Sequence, residues 1–452
     1  MNTMQQLVYT LTLLPALAEA IYRCNLQIVP PTCHQHSQAL GLNSVRPERR
    51  LLFTFDAGEA LAKLGVTGEV FGTEVTGKFG LLAPDFLYND SCTKVAKHSM
   101  LIGTILSVIV YYTMISKRRQ STRTIKKMTI AGSIIALLLL TPYIYFDVMD
   151  IKQSAVRQPF AMSVIMITFR VIEAAFGFAP EGVTTSLGMY MIYFACSGCE
   201  FIFDAKTSKP VKASAYDVFQ SLWRLLRVGI INTFFFSYLA HFDYMPFGRD
   251  RTHYLDPNHL GNCFCIALFF QQVMAYGDAF FSLIANAIFG LKTAKMMDNP
   301  VLKSKSIAEF WGRRWNYLFH CVLKRGIYKP MRKYTTAAVA SLAVFLASGI
   351  IHEWLNYSVQ VYHHAEAPKD SKYNPDNIIL GSNMAFFAWQ FFVISIEKYF
   401  GEISSAKIPQ PLVPFLVIMT SLPLAFWFAE PYFQGRFFWD YEGILPTVIK
   451  MN

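Results

Sequence analysis

The sequence predicts an all-α, polytopic membrane protein, and three observations carry that prediction. The chain of 452 residues is 53% hydrophobic and 15% aromatic but only 16% charged, which leaves too little polar surface for a soluble protein of that size. Several windows of about 18 to 20 apolar residues reach the length at which an α-helix crosses a hydrocarbon core of roughly 30 Å. The formal net charge of +11 is concentrated in blocks beside such windows, as expected where Lys and Arg hold loops on the cytosolic side. Charge beside membrane spans, rather than on a soluble face, argues against a nucleic-acid partner.

Residues 1–22 contain the apolar run Leu7–Tyr22 and read as a signal sequence or a first span. Residues 23–98 are of mixed polarity, with Pro30, Pro31 and the glycosylation triplet Asn89–Ser91, and are expected to form a small lumenal lobe. Cys24, Cys33 and Cys92 fall in it, an odd number that leaves disulfide pairing open. Residues 99–452 then form one helical membrane domain. Ser99–Ser116 is its first clear span, followed by six Lys or Arg and no acid between Lys117 and Lys127. Thr129–Val148 is a second. Phe160–Ala179 is a third, in which Arg170 and Glu173 share a helical face and are expected to pair. Leu187–Phe203 reads as another span, with Cys196 and Cys199 as packing residues rather than metal ligands.

Tyr216–Arg227 alternates as an amphipathic helix lying on the surface, and Val228–Met245 follows as a span. Leu260–Gly290 is either one bent helix or two pieces divided near Gly277 and Asp278. Ile378–Ile396 and Leu412–Phe428 are the last spans, and the aromatic tail Glu430–Asn452 is expected at the interface. The total is about eight to eleven transmembrane helices. The parity of crossings between the two basic loops stays open.

The chain is organised around residues 292–354. Between Lys292 and Lys333 there are eleven Lys or Arg against Asp298 and Glu309, interleaved with tryptophans that charge alone does not explain. An apolar helix follows and carries His352 and Glu353 about 22 Å from its start near Ala337. A titratable group at that depth usually has a task. A neutral imidazole there could accept a proton, although a helix simply ending at the headgroups would also place His352 there. Ser348 and Gly349, one turn earlier, remove bulk beside it, so that a backbone or a ligand can approach. Glu353 points about 100° away and would orient a neighbouring group. His320 is the rival base.

In the block Glu309–Asn316, Trp311 and Trp315 form an aromatic stripe that with Phe310 could pack against an apolar ligand. Arg313 and Arg314 offer bidentate donors to phosphates. Asn316 supplies an amide for a carbonyl oxygen as charge develops on it. An interfacial helix anchored by tryptophan would share the pattern.

This block, followed 36 residues later by His352 in an apolar Ser-Gly-x-x-His-Glu context, resembles the wax synthase branch of the membrane-bound O-acyltransferase family. More distantly it is similar to the Phe-Tyr-x-Asp-Trp-Trp-Asn motif of diacylglycerol and sterol O-acyltransferases, from which it departs at Gly312, Arg313 and Arg314. The resemblance covers some 60 residues. It implies a multi-pass enzyme of the endoplasmic reticulum membrane with an intramembrane tunnel, in which His352 is the catalytic base and Asn316 its partner. Acyl-CoA as co-substrate and a lipophilic alcohol, a long-chain fatty alcohol before a sterol, diacylglycerol or terpenoid, are the implied substrates, with no other cofactor and no metal. Membrane lipid surrounds it, and a homo-oligomer is left open. The rival reading from another class is a transporter with Arg170, Glu173, Asp278 and His352 along its path; it would call for an inverted repeat, and the sequence shows none.

Overall fold

The computed structural model describes residues 90–116, 124–151, 154–239, 254–361, 378–401, 408–409 and 412–434, with short strands at 51–56, 69–70, 73–74, 78–82 and 447–451. Residues 1–22, most of the 23–98 lobe and the loop carrying His241 and Asp243 lie outside them. The architecture is the all-helical, polytopic one expected. Five helices among the described residues are long and apolar enough to cross a membrane. They are α1 (Asp90–Val110, prolonged by a π turn to Ile115), α2 (Thr124–Val148), α3 (Ser154–Phe176), α6 (Pro257–Ile288) and α8 (Ala337–Asn356, prolonged to Val361). The shorter α10 (Leu412–Met419) and α11 (Phe426–Gln434) qualify as a sixth if their pair, bent by 55°, counts as one span.

Two further helices lie among these. The helix α5 (Ala215–Leu239) has 25 residues and α9 (Ser382–Phe400) has 19, roughly 37 Å and 28 Å at the α-helical rise. The surface helix and separate span expected within 216–245 are one continuous helix, α5. Its polar residues face α6: Arg224 pairs with Asp278, Asn286 donates to Ser221 Oγ at 2.7 Å, and Asn232 donates to the Gln272 carbonyl at 3.3 Å. With those groups satisfied by a neighbouring helix, the segment has no need of an aqueous surface. Of the two arrangements left open for 260–290, the uninterrupted helix is the one found, because Asp278 finds both Arg224 and the Met296 amide beside it.

The expected span at Leu187–Phe203 is corrected. The helix α4 ends at Ala195 after nine residues, about 14 Å, too short to cross. The next residues, Glu200 and Phe201, pair antiparallel with Ala294 and Thr293 at the start of the second basic segment. In chain order α2, α3, α4, α5 and α6 lie between the two basic loops. β1 (Leu51–Asp56), β2 (Lys78–Leu82) and β3 (Thr447–Met451) form an antiparallel sheet with β2 central. Pairing of β2 with β3 requires an even number of crossings between them. The five candidates, with the bent pair as a sixth, meet that requirement. The far end of the tail is a strand, and Glu430 and Tyr432 at the end of α11 are buried.

The core is built on α3. Arg170 and Glu173 are 0% exposed and 3.5 Å apart, so the expected ion pair is present. Arg325, from the basic segment, adds to it: its Nε donates to Glu173 at 2.8 Å, and its two terminal nitrogens hold Glu200 at 2.6 and 2.9 Å. Tyr193 completes the cluster, donating to Glu173 at 2.7 Å beside Arg170. Two cations and two carboxylates therefore neutralise one another inside the bundle. Gly326 follows, where a Cβ would stand 2.8 Å from the Phe169 ring. The basic segment is thereby laid flush on α3.

Candidate active site

The Trp-rich block is anchored from both ends. Ser306 Oγ accepts from the Glu309 amide, and the buried Glu397 of α9 accepts from the Ile307 and Ala308 amides at 2.8 and 2.9 Å. A carboxylate at this helix start satisfies donors that have no partner within the turn. Residues 310–314 continue as a π turn. Asn316 then takes the left-handed conformation, φ 49°, and caps α7 (Tyr317–Leu323) by accepting from the Phe319 amide at 3.3 Å. Asparagine is one of the few residues that tolerates this backbone and caps a helix as well. Because the cap requires an oxygen, the amide orientation is fixed. Nδ2 points away from the cap and has no protein partner among the described residues.

The tryptophans turn inward rather than sitting at an interface. Trp311 Nε1 donates at 3.1 Å to Gln390 Oε1 of α9, which also accepts from Ser421. Phe310 stacks on Trp315 with ring centroids 5.4 Å apart.

Across from them, Ser341, Val344, Phe345, Ser348 and His352 recur on one face of α8. Between that face and the block lies a cavity of about 460 Å³. Trp311, Gly312, Trp315 and Asn316 form one wall, Ser348 and His352 another, and Phe387 of α9 closes it. The expected pair, Asn316 and His352, therefore meets in one chamber. His320 and Lys324 line it as well. Burial, with Lys324 and Arg325 beside it, pushes the His320 imidazole down to about 4, so at neutral pH it is uncharged.

His352 is clamped by aromatic rings. Phe387 stacks on it at 5.2 Å, the edge of Phe428 approaches at 4.8 Å, and its Nδ1 lies 3.1 Å from Tyr432 Oη. Its Nε2 has no protein partner among the described residues. Gly349 lets this happen, since a Cβ there would stand 2.7 Å from Met384 Cα. The approaching backbone allowed for by Ser348 and Gly349 is that of α9. Glu353 turns away from the cavity, accepting at the start of α9 from the Asn383 and Met384 amides at 2.8 and 3.4 Å.

The arginines are not in the chamber's lining. Arg314 donates to Glu309 at 2.9 Å and to Asp298 at 2.9 Å, and Arg313, 74% exposed, reaches Glu309 at 3.0 Å. Lys324 is the cation that lines the cavity. In the sequence it is one of eleven basic residues with nothing to single it out. Tyr432 and Gln390 were likewise invisible, being 80 and 79 residues from the groups they touch.

Residues 294–369 match the model of the membrane bound O-acyl transferase family. The match holds both Asn316 and His352. The resemblance read from the sequence thus returns on the same segment. Among curated proteins the chain is 25% identical over 139 residues to the long-chain-alcohol O-fatty-acyltransferase of Simmondsia chinensis, covering 29% of this chain and 37% of that protein. It is 33% identical over 86 residues to the probable long-chain-alcohol O-fatty-acyltransferase 3 of Arabidopsis thaliana, covering 17% and 25%. With the probable long-chain-alcohol O-fatty-acyltransferase 6 of the same plant the identity is 22% over 235 residues, 50% and 63%. The chain spans between about a quarter and just under two thirds of these relatives' lengths.

Proposed function

We propose that the protein is an O-acyltransferase that moves an acyl group from acyl-CoA to a lipophilic alcohol. The observation that carries this reading is that Asn316 and His352, whose Nδ2 and Nε2 have no protein partner among the described residues, line one largely apolar chamber. In the proposed reaction the alcohol hydroxyl gives its proton to His352 Nε2 as its oxygen attacks the thioester carbonyl. Asn316 Nδ2 donates to the oxyanion that forms. The tetrahedral intermediate collapses, the C–S bond breaks, and the CoA sulfur takes the proton back from His352. An ester and free CoA result. A positioned base of this kind contributes roughly 10²- to 10⁴-fold.

The thioester donor would come from the basic face, with Lys324 rather than Arg313 or Arg314 receiving its phosphates. A long-chain fatty alcohol, giving a wax ester, is the acceptor that the names of the relatives support; sterols, diacylglycerols and terpenoid alcohols are the alternatives that the same chemistry would serve. The endoplasmic reticulum is the membrane proposed.

The test is a lipid profile of a host lacking its own neutral-lipid acyltransferases, expressing either the wild type or His352→Ala and supplied with each alcohol class. New esters from the wild type alone support the reading and identify the acceptor by mass. Full activity in a membrane-inserted His352→Ala protein would overturn it. A tagged protein that fails to co-localise with reticulum markers would overturn the address.

A further inference from the structure

Resting on the proposed role of His352, we infer that Tyr432 is its positioning residue. Among the described residues, only Nδ1 of the two ring nitrogens of His352 has a protein partner, and that partner is Tyr432 Oη at 3.1 Å. Because the partner of one ring nitrogen sets the tautomer of the other, Nδ1–H donated to the phenol oxygen leaves Nε2 with its lone pair free to accept a proton. When Nε2 takes the alcohol's proton, the same oxygen faces a ring that has become a cation, so the hydrogen bond strengthens as charge develops.

The fold holds Tyr432 in place for this. The residue is 1% exposed, its ring meets Phe428 at 5.4 Å and Phe270 of α6 at 5.0 Å, and the chain bends by 55° between α10 and α11. Phe387 and Phe428 fix the plane of the imidazole, but neither offers it a hydrogen bond. Of these three rings Tyr432 alone carries a hydrogen-bonding group, whose oxygen serves here as the acceptor of Nδ1–H.

The experiment compares kcat and KM of wild type, Tyr432→Phe, His352→Ala and the double variant, purified in detergent and checked for matching elution and melting temperature. Removal of one hydrogen bond to a group that becomes charged is expected to lower kcat about 10- to 100-fold. KM should stay within about twofold, and the double variant should be no slower than His352→Ala, since Tyr432 acts only through the imidazole. A Tyr432→Phe enzyme with wild-type kcat, beside an inactive His352→Ala, overturns this inference and leaves the base assignment standing. An active His352→Ala overturns both. If the phenylalanine variant does not accumulate, fluorinated tyrosines at position 432 keep ring and hydroxyl while weakening the oxygen as an acceptor. A kcat that falls with fluorination supports the role, and a flat series overturns it.

Discussion

A Cβ placed on Gly349 would stand 2.7 Å from the Cα of Met384, so α8 and α9 touch backbone to backbone one turn from His352. Phe387, which stacks on that histidine, lies three residues after Met384 on the same helix. The contact therefore sets the distance between the imidazole and its clamp.

Gly349→Ala is expected to wedge the two helices apart. Overpacking of this kind costs about 1–3 kcal/mol, and the displaced Phe387 should loosen the histidine as well. A melting temperature and a transfer rate measured on the same sample should both fall; an unchanged rate would remove the contact from the site's supporting structure.

Asn316 performs two tasks with two ends of one amide, and they can be separated. Asn316→Asp keeps the oxygen that caps α7 and tolerates φ near 49°, so folding should be preserved. It lacks the Nδ2 donor, and transfer should drop about 10²- to 10³-fold. Asn316→Ala should in addition lose about 1 kcal/mol of stability with the cap. Equal activities of the aspartate variant and wild type would end the oxyanion role.

Lys324 lines the cavity while Arg314 is held between Asp298 and Glu309. Lys324→Ala should raise KM for acyl-CoA about two- to tenfold and flatten its dependence on ionic strength. An S-acyl pantetheine donor, which carries no phosphate, should be used equally well by both enzymes. A matching rise in KM for both donors would point to a steric role instead.

Acid sensitivity should trace in part to His320. Its folded value, about 4, is below the ordinary 6.5, chiefly through burial. Between those two values the unfolded chain binds a proton that the native state refuses, so this contribution to stability is complete above about pH 6.5 and is lost as pH falls towards 4. His320→Gln should lose less stability than wild type between pH 7 and 5 in denaturation midpoints. Parallel curves would show that another group is responsible.

Arg325 serves Glu173 and Glu200 together. Arg325→Ala leaves two buried carboxylates with their compensation halved, a change expected to destabilise by about 3–5 kcal/mol. The variant should accumulate poorly or melt far lower, measured by detergent-resistant folded fraction. A stable, normally folded Arg325→Ala would mean that Arg170 alone neutralises both acids.

Much of this was legible in the residues, because some physical constraints are local. Span-length apolar windows, the positive blocks beside them, the three-residue spacing of Arg170 and Glu173, and the pairing of a Trp-Arg-Arg-Trp-Asn block with a histidine deep in an apolar helix are all patterns of composition and period. They determined an all-helical membrane protein and put the candidate chemistry in residues 292–354. What only the tertiary structure decided was partnership. An apolar run such as Leu187–Phe203 has the same composition whether it crosses a bilayer or turns back after nine helical residues, and the difference lies in a two-residue ribbon with Thr293 and Ala294. Polar groups on α5 looked like an aqueous face until α6 supplied their partners. Arg313 and Arg314 looked available until Asp298 and Glu309 took them up. Tyr432 joins His352 from 80 residues away, and no periodicity within one helix can foretell which side chain another helix brings to it.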